Sequence, residues 1–323
     1  MSTLTTYANM TLAEAMKRAG YDNAANVIGE LMKQHDFMAA CPWMPASDGI
    51  FHKYLQATRL GAGSFGTVNA PVGKISSTTD EAIEPIKLYE GDSVIDERIL
   101  TTAKDRTKTR DSEDALNLEG FMQGWEDQLL NCNDTTTPTG FRGLAQRRAS
   151  LNTYCVSNAG STSGALTSVW LFEFGPTGFN LRYSESGMPG ISDEDRGRVY
   201  APAPTGSGNF WAWIRHYQIL AAMELRDQRA MLRLGNIESA GSSNTFSATT
   251  FIKLKNILPK AGRNAVAFSN RTIKGQIEAA AYDKSNAAYT MADIIGFGPV
   301  PAVAGVPVLL WESIGNVETT LTT

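Results

Sequence analysis

The sequence predicts an α+β fold, because one long helical stripe and several strand-like stretches occur in the same chain. Apolar side chains recur at helical spacing in residues 112–131, where Phe121 and Trp125 share one face. Strand-like stretches alternate or run continuously apolar, as in residues 50–57 and 168–174. The last third of the chain combines both patterns, which favours an α+β or α/β subdomain there.

The composition is typical of a globular protein, with 323 residues, 42% of them hydrophobic and 19% charged. Such a length can bury a sizeable core and suggests one large or two modest domains. The net charge is −4 and the isoelectric point is about 5.5, so no overall basic field attracts nucleic acid. No apolar run is long enough to span a bilayer, and residues 1–6 lack the regions of a signal peptide.

The sequence contains no recognisable catalytic or metal-binding constellation. Its three cysteines form no C-x-x-C pair, which suggests reduced thiols in a cytosolic setting: Cys41, Cys132 and Cys155. Its three histidines are dispersed and belong to no H-E-x-x-H motif: His35, His52 and His216. There is no G-x-S-x-G elbow either. We therefore predict no catalytic residue, no cofactor, no metal and no enzymatic activity.

Two short helices are predicted at the N-terminus. Thr11 and Glu14 form a capping box for the first, and Gly20 ends it. Asp22 begins a second helix, which runs to about His35. The prolines of the following Cys-Pro-Trp-Met-Pro segment break any further helix.

Residues Ile50–Asp96 predict a long hairpin. Its arms are Ile50–Ala57 and Pro85–Glu90, both of which fit half-buried strands. The middle, Arg59–Glu84, is rich in Gly, Ser, Thr and Ala and has no helical period. So long a structureless connection is unusual inside a compact domain. Either the strand prediction is wrong, or this piece projects from the body and is ordered by something else.

The same stretch contains Gly61–Val68, which fits the G-x-G-x-x-G-x-V loop that covers ATP phosphates in protein kinases. Lys87 lies in a strand-like segment, as the kinase lysine would. However, no D-F-G exists, and Leu225-Arg226-Asp227, the nearest match to H-R-D, lacks the following Asn. The glycines open no helix, which argues against a dinucleotide site. Flexibility in a hairpin loop is the favoured interpretation.

The longest predicted helix is Ser112–Asn131, with Asp111 or Ser112 as its cap. A basic run precedes it: Lys104, Arg106, Lys108 and Arg110. Such a run can contact DNA, but this one is short and is neutralised at once by the acids that follow. A solvated or intersubunit role is therefore favoured. The apolar stripe of the helix favours core packing over a cofactor pocket.

Several further elements are predicted downstream. Ser168–Phe174 and Phe179–Tyr183 form a second hairpin around a Gly-Pro-Thr-Gly turn, and Ser192–Asp195 is an acidic surface loop. Residues Phe210–Ile237 fit a sheet or a helix, and we favour strands with a break near Asp227. Residues 240–244 are linker-like. The last third has helices at 249–258 and 272–281 and strands at 265–268 and 305–311.

Taken together in this order, several segments resemble one family. They are Thr11–Ala15, Ile50–Asp96, Ser168–Gly175 with Ser192–Gly197, Leu225–Asp227 through Arg233–Ile237, and Ala267–Thr272 leading to Gly305–Val308. The chain thereby resembles the major capsid proteins of tailed bacteriophages, in particular those of short-tailed phages, from about residue 10 to 313. That family has the Hong Kong 97-type (HK97-like) capsid fold.

The resemblance implies a domain organisation. It assigns residues 1–49 to an N-terminal arm, 50–96 to an extended loop (E-loop), 97–140 to a P domain with the spine helix, 141–167 to a connecting segment, 168–239 to P-domain strands and a hairpin, and 240–323 to an A domain. In many members the strand that Gly305–Val308 resembles precedes the P-domain strands. The resemblance therefore implies that the element order of this chain is permuted.

The resemblance also implies a function and partners. The chain would self-assemble as hexamers and pentamers into an icosahedral virion capsid enclosing double-stranded DNA, which it would contact only non-specifically. Because no long N-terminal scaffolding segment is present, a separate scaffolding protein is expected, together with a portal and decoration proteins. Assembly would take place in the cytoplasm of a bacterial host, with no membrane involved.

In this interpretation the hairpin forms the contact between neighbouring subunits. We expect Arg59, Asn69 and Lys74 to hydrogen-bond across it and Phe65 to be its apolar anchor. Two alternatives remain open from the sequence. One is a non-viral, encapsulin-like shell protein, which shares the fold, and the other is a nucleotide-binding enzyme that uses the Gly61–Gly66 loop.

Overall fold

The computed structural model describes residues 33–323 except 70, 186, 204–207, 242, 261–263, 282–287 and 295–297. The chain divides into two compact units. The first unit consists of residues 1–35, 88–143 and 190–220, and the second of residues 36–87, 144–189 and 221–323. The helices predicted from Thr11 and Asp22 lie outside the described residues. Within the described part of the chain, no helix is both long and apolar enough to cross a membrane.

Strands outnumber helices among the described elements, and the predicted α+β class is confirmed. In chain order the elements are α1 (Asp36–Ala40), β1 (Trp43–Pro45), β2 (Phe51–Arg59), β3 (Thr78–Pro85), β4 (Lys87–Asp96), α2 (Glu97–Thr102), α3 (Arg106–Asn131), α4 (Leu144–Arg147), β5 (Cys155–Ser157), β6 (Leu166–Glu173), β7 (Phe179–Tyr183), β8 (Ser192–Pro202), β9 (Asn209–Leu225), β10 (Met231–Glu238), α5 (Ala248–Lys255), β11 (Ala265–Ser269), α6 (Arg271–Ala281), β12 (Tyr289–Ile294), β13 (Gly298–Val303) and β14 (Val306–Leu310).

Helix α3 is the main element of the first unit. Its 26 residues make it about 39 Å long. It begins at Arg106 rather than at the predicted Ser112, because Asp105 accepts hydrogen bonds from the backbone N–H groups of Thr107 and Lys108. The predicted cap at Asp111 or Ser112 is therefore wrong. A helix start without apolar periodicity leaves no signal in a hydrophobic pattern.

The apolar stripe of α3 packs where the sequence predicted. Trp125 and Leu129 are fully buried, and Phe121 and Trp125 both contact the ring of Tyr89 on β4. At Gly124 an added Cβ would collide with the hydroxyl of Tyr89, so a larger residue there would force the tyrosine side chain to move. The predicted core role of this stripe is confirmed.

The acidic run Ser192–Asp195 is in a strand, not in the predicted surface loop. Ser192–Asp195 opens β8, which pairs antiparallel with β9. Asp193 accepts two hydrogen bonds of 2.7 Å from Arg215, and Asp195 accepts one of 2.5 Å from Arg110. These ion pairs explain why so polar a run is extended, since each acid faces an arginine.

The core of the second unit is a seven-stranded sheet in the order β12-β13-β14-β11-β6-β10-β5. Every residue of β6 is buried. Helices α5 and α6 contribute Phe251, Leu254, Ile273 and Ile277 to the same apolar cluster as the central strands. This combination of helices and sheet in the last third was predicted from the sequence.

Strands β6 and β7 do not form the predicted second hairpin. Strand β6 pairs with β10 and β11 in the seven-stranded sheet, whereas β7 pairs with β1 and with the end of β9. The tight Gly-Pro-Thr-Gly turn thus connects two sheets rather than two neighbouring strands. Turn chemistry specifies a reversal of the chain but not the strand that each arm pairs with.

Most other predicted elements are confirmed. The stretch 210–237 contains strands β9 and β10 with a short 3₁₀ turn at Gln228–Ala230, so the predicted break near Asp227 is correct. Strands β12 and β13 were not predicted, and in β13 Pro299 and Pro301 argue against a strand. Only Ala302 and Val303, at the end of β13, pair with β14, so the prolines precede that pairing.

The first predicted hairpin exists, but its second arm is shifted. Strand β2 pairs with β3, Thr78–Pro85, in a separate two-stranded sheet. The residues predicted as the second arm, Pro85–Glu90, mostly belong to β4, which pairs with β9. The irregular part is therefore 60–77, shorter than the predicted Arg59–Glu84. The threonine- and acid-rich sequence of β3 lacks the apolar alternation that would have identified it.

An aromatic cluster ties α1 into the second unit. Phe37 is fully buried and stacks on Trp311 with ring centroids 4.1 Å apart. Its ring also contacts Phe172, Phe179 and Phe268 at 5.2–6.4 Å. The short helix α1 therefore fills the space between strand β7 and strands β6 and β11 of the seven-stranded sheet.

We predict that Phe37→Ala lowers the free energy of unfolding by about 3–5 kcal/mol, because a fully buried ring leaves a cavity. The measurement is urea unfolding followed by tryptophan fluorescence. Phe65→Ala is the matched control, since Phe65 is fully exposed, and it should change the unfolding midpoint little. Equal midpoints for Phe37→Ala and Phe65→Ala would show that the cluster does not stabilise the unit.

Candidate subunit-contact hairpin

The hairpin of β2 and β3 has two chemically different faces. Alternation along β2 places His52 and Tyr54 on one face, where both are buried. Lys53 and Leu55 alternate with them and are exposed, and Ile83, which is opposite Lys53, is exposed too. One face is therefore packed on the second unit, while the other presents apolar side chains outward.

The packed face is anchored at a buried carboxylate. Glu224, on β9, has 0% exposure. Its Oε2 accepts hydrogen bonds of 2.9 and 2.6 Å from Arg182 on β7, and its Oε1 lies 3.2 Å from Nε2 of His52 on β2. Arg226 also lies 3.0 Å from Oε1. Although burial raises the pKa of Glu224, these partners together hold it below its ordinary value, so the group is charged.

The hydrogen bonds of His52 define its protonation state. The backbone N–H of Ser47 donates to Nδ1 at 3.1 Å, so that nitrogen carries no proton. The proton of the neutral ring is then on Nε2, where it is donated to Glu224. Burial lowers the pKa of His52, against the raising effect of Glu224. His52 is therefore a neutral link between the hairpin and the buried carboxylate.

Two further contacts fix the rest of the hairpin base. Arg147 makes a bidentate pair with Glu84 on β3, with distances of 2.8 and 2.9 Å. The amide of Gln56 on β2 donates to the carbonyl of Leu225 at 2.7 Å. Both strands of the hairpin are thus held to the second unit close to its base.

The tip, residues 60–77, differs from the base because it presents its apolar side chains to solvent. Among the described residues, more than half of the exposed large apolar side chains lie between residues 50 and 83: Ile50, Leu55, Leu60, Phe65, Val68, Val72, Ile75 and Ile83. Phe65 has a relative exposure of 109%. Exposed apolar side chains that are concentrated in one segment are typical of a surface that binds a partner.

All four predicted contact residues lie on or beside the tip. Arg59 ends β2, and Phe65, Asn69 and Lys74 follow in the irregular part, all four exposed. Asn69 has φ 65°, a left-handed conformation that asparagine tolerates well. The structure thus places the four residues in one segment, while their role in a contact stays a prediction.

The base of the hairpin was not predicted. Its participants are His52, Glu84, Arg147, Arg182 and Glu224. One sequence signal existed, since Glu224 follows the apolar run Ile219–Met223 and a carboxylate in such a run requires a partner when buried. The sequence alone does not show that one of these partners is His52, which is 172 residues away along the chain.

The kinase-like glycines form a hairpin tip. An added Cβ at Gly61 would collide with the side chain of Ile75 and the backbone of Ser76, so this glycine closes the neck of the loop. At Gly66 an added Cβ would meet nothing within 4 Å. Strand β3, not a helix, follows the loop. The phosphate-binding interpretation of this motif therefore has no support from its surroundings.

The described residues offer little reactive chemistry. No group of three or more His, Cys, Asp or Glu side chains among them is placed to hold a metal ion. The cysteines are free and buried: Cys41, Cys132 and Cys155. Burial raises the pKa of Cys41 and of Cys155, so these two thiols are protonated and weakly nucleophilic at neutral pH.

Comparisons with known proteins identify a family and a similar fold. Residues 20–322 match the family model "Major capsid protein GP7". The chain is similar to a subunit in the structure of bacteriophage Epsilon15, with 19% identity, a TM-score of 0.72, and coverage of 99% of this chain and 100% of that one. No curated protein matches.

Two other solved structures are more distant. The capsid of bacteriophage JBD30 gives 10% identity, a TM-score of 0.49, and coverage of 89% of this chain and 93% of that one. The SrpI encapsulin of Synechococcus elongatus gives 11% identity, a TM-score of 0.48, and coverage of 74% and 100%. The Epsilon15 similarity therefore identifies the fold, and the predicted HK97-like architecture is confirmed by it.

We predict that Glu224→Gln destabilises the second unit by about 3–5 kcal/mol, because Arg182 would keep a buried charge without a counter-charge. Urea unfolding measures the loss. Glu81→Gln is the matched control, since Glu81 forms only an exposed pair with Lys53 on the same hairpin. Similar unfolding midpoints for the two variants would contradict the anchoring role of Glu224.

We also predict a pH dependence. Because the folded-state pKa of His52 is lowered from 6.5, its contribution to stability is complete above pH 6.5 and is lost as the pH falls through the folded pKa. The difference in urea midpoint between wild type and His52→Gln should shrink from pH 7.5 to pH 5. The same comparison with Gln56→Ala is the control, since it removes a non-titratable contact of the hairpin base and should give a difference that does not change with pH. A difference that grows on acidification would mean that His52 is charged in the folded chain.

Proposed function

The chain belongs to the major capsid protein GP7 family, and from that premise we propose that it builds an icosahedral shell around double-stranded DNA through contacts of its hairpin tip. Family membership makes it a shell-forming structural subunit of a virion. The observation that carries the proposal is the concentration of exposed apolar side chains at the tip of an anchored hairpin.

The proposed partner of the tip is a neighbouring copy of the same chain, within and between hexamers and pentamers. A shell places many identical subunits side by side, so a tip that is solvated in one subunit is covered by the next. Each contact can be weak, because many contacts per subunit add through multivalency. Weak single contacts also allow a misplaced subunit to leave during assembly.

Within that contact, Phe65 is the proposed apolar anchor. A fully exposed aromatic ring has the most surface to bury, and aromatic residues dominate binding energy at interfaces. Arg59, Asn69 and Lys74 surround it with donors that can reach acceptors on a neighbour. The tip carries no acidic side chain between Arg59 and Lys74, so an acidic or neutral surface suits it as a partner.

The domain roles implied by the family are part of the same proposal. Residues 1–49 would be the arm, 50–96 the extended loop, 97–140 the start of the P domain with α3 as spine helix, and 240–323 the A domain. In support, α3 is the longest described helix, and β2 and β3 form a sheet of their own. The permuted element order stays a prediction.

The assembly of a virion shell involves further partners. We propose a separate scaffolding protein, a portal and decoration proteins, with assembly in the cytoplasm of a bacterial host. Packaged DNA would touch the wall only non-specifically, which suits a net charge of −4. The alternative of a non-viral shell shares the fold, but the family match favours the virus.

We predict that replacing residues 61–77 by a two-residue Asn-Gly turn leaves a folded chain that forms no closed shells. Phe65→Ser should weaken each contact by about 2 kcal/mol or more, as expected for an aromatic anchor. Negative-stain microscopy and sedimentation of the expressed protein measure the yield of shells.

Met188→Ser is the control, since Met188 is 72% exposed but lies outside the hairpin. It should assemble as wild type does. Closed shells in normal yield from the shortened hairpin would rule out the tip as an essential contact. Shells that lack nucleic acid when purified from infected cells would instead favour the non-viral alternative.

A further inference from the structure

His35, in the first unit, lies between two carboxylates of helix α3. Its Nδ1 is 3.2 Å from Oε1 of Glu126, and its Nε2 is 3.3 Å from Oε2 of Glu119. The two glutamates are two helical turns apart and therefore share one face of α3. Glu126 is only 1% exposed. The backbone N–H of Lys33 donates to Glu119 at 2.9 Å, so the same carboxylate holds the chain on both sides of residue 34.

The two carboxylates favour a doubly protonated ring. A neutral imidazole has one N–H, so at one of its two nitrogens it would turn a lone pair toward a carboxylate. An imidazolium carries a proton on both nitrogens and is attracted by both charges: Nε2 donates to Glu119, and Nδ1 forms an ion pair with Glu126. Among the described residues, the charged groups that face the ring are Glu119 and Glu126. The amide of Gln123 donates to Glu119 and supports its charge.

We propose that His35 is a proton-operated clasp, which holds residues 33–35 against helix α3 while its ring is charged and releases them when the ring loses its second proton. The clasp is a conformational device at the end of the N-terminal segment.

The pKa directions agree with the clasp. The nearby carboxylate of Glu126 raises the pKa of His35 above 6.5, against burial and with help from Glu119. The contribution to stability is therefore complete below pH 6.5 and is lost as the pH rises through the folded pKa. Although burial acts to raise it, the pKa of Glu119 lies below its ordinary value because Gln123, Lys33 and His35 stabilise its charge.

Cleavage by trypsin after Lys33 tests the clasp, because the Lys33–Gln34 bond can enter the protease only when the clasp is open. The rate is measured from pH 5.5 to 9 on the purified full-length chain and divided by the rate on a peptide of residues 28–40. The peptide carries the pH dependence of trypsin itself. Above pH 6.5 this ratio should rise by about tenfold per pH unit, and it should level off once the pH exceeds the folded-state pKa of His35.

Three variants make the result specific. His35→Gln should give a high ratio that does not change with pH. Glu119→Gln should give a smaller rise than wild type, because one of the two charges is gone. His216→Gln should behave as wild type, although His216 also lies 2.6 Å from a carboxylate, that of Asp92. A flat ratio in wild type, or an equal rise in His35→Gln or Glu119→Gln, would overturn the proposal.

Discussion

The buried carboxylate of Glu224 is the constraint on which the hairpin depends. A fully buried charge is unfavourable unless every oxygen has charged or hydrogen-bonding partners. Here those partners come from three separate segments: Arg182 on β7, Arg226 after β9 and His52 on β2. If the hairpin moved away from the rest of the second unit, the buried charge of Glu224 would therefore lose its hydrogen bond with His52. The base of the hairpin is fixed for that reason, although much of the hairpin lies in solvent.

In the proposed assembly, the fixed base and the exposed tip of the hairpin have different roles. The base would orient the tip before assembly, so the cost in conformational entropy of finding the neighbour would fall mainly on residues 60–77. The exposed apolar side chains of the tip would be covered by that neighbour. On this proposal, the stability of the subunit and the stability of the shell depend on different residues.

Much of this architecture could be predicted from local patterns, and what could not be predicted depends on contacts between distant residues. Periodicity identified the apolar part of α3, and the glycine-rich middle identified the hairpin. For β9 and β10 the pattern also fitted a helix, and strands were only the favoured interpretation. Pairing partners were missed, as for β6 and β7, because a turn does not specify which strand lies next to each arm. The link between His52 and Glu224 spans 172 residues. The protonation states of His35 and His52 likewise follow from partners that no local pattern shows.

Hydrogen–deuterium exchange of free subunits and of assembled shells tests the central claim most directly, because it reports the base and the tip of the hairpin separately. The amides of β2 and β3 next to His52 and Glu84 should be protected in both states. Those of residues 61–77 should exchange fast in the free subunit and slowly in the shell. Fast exchange of the tip in closed shells, or of the base in free subunits, would contradict the account.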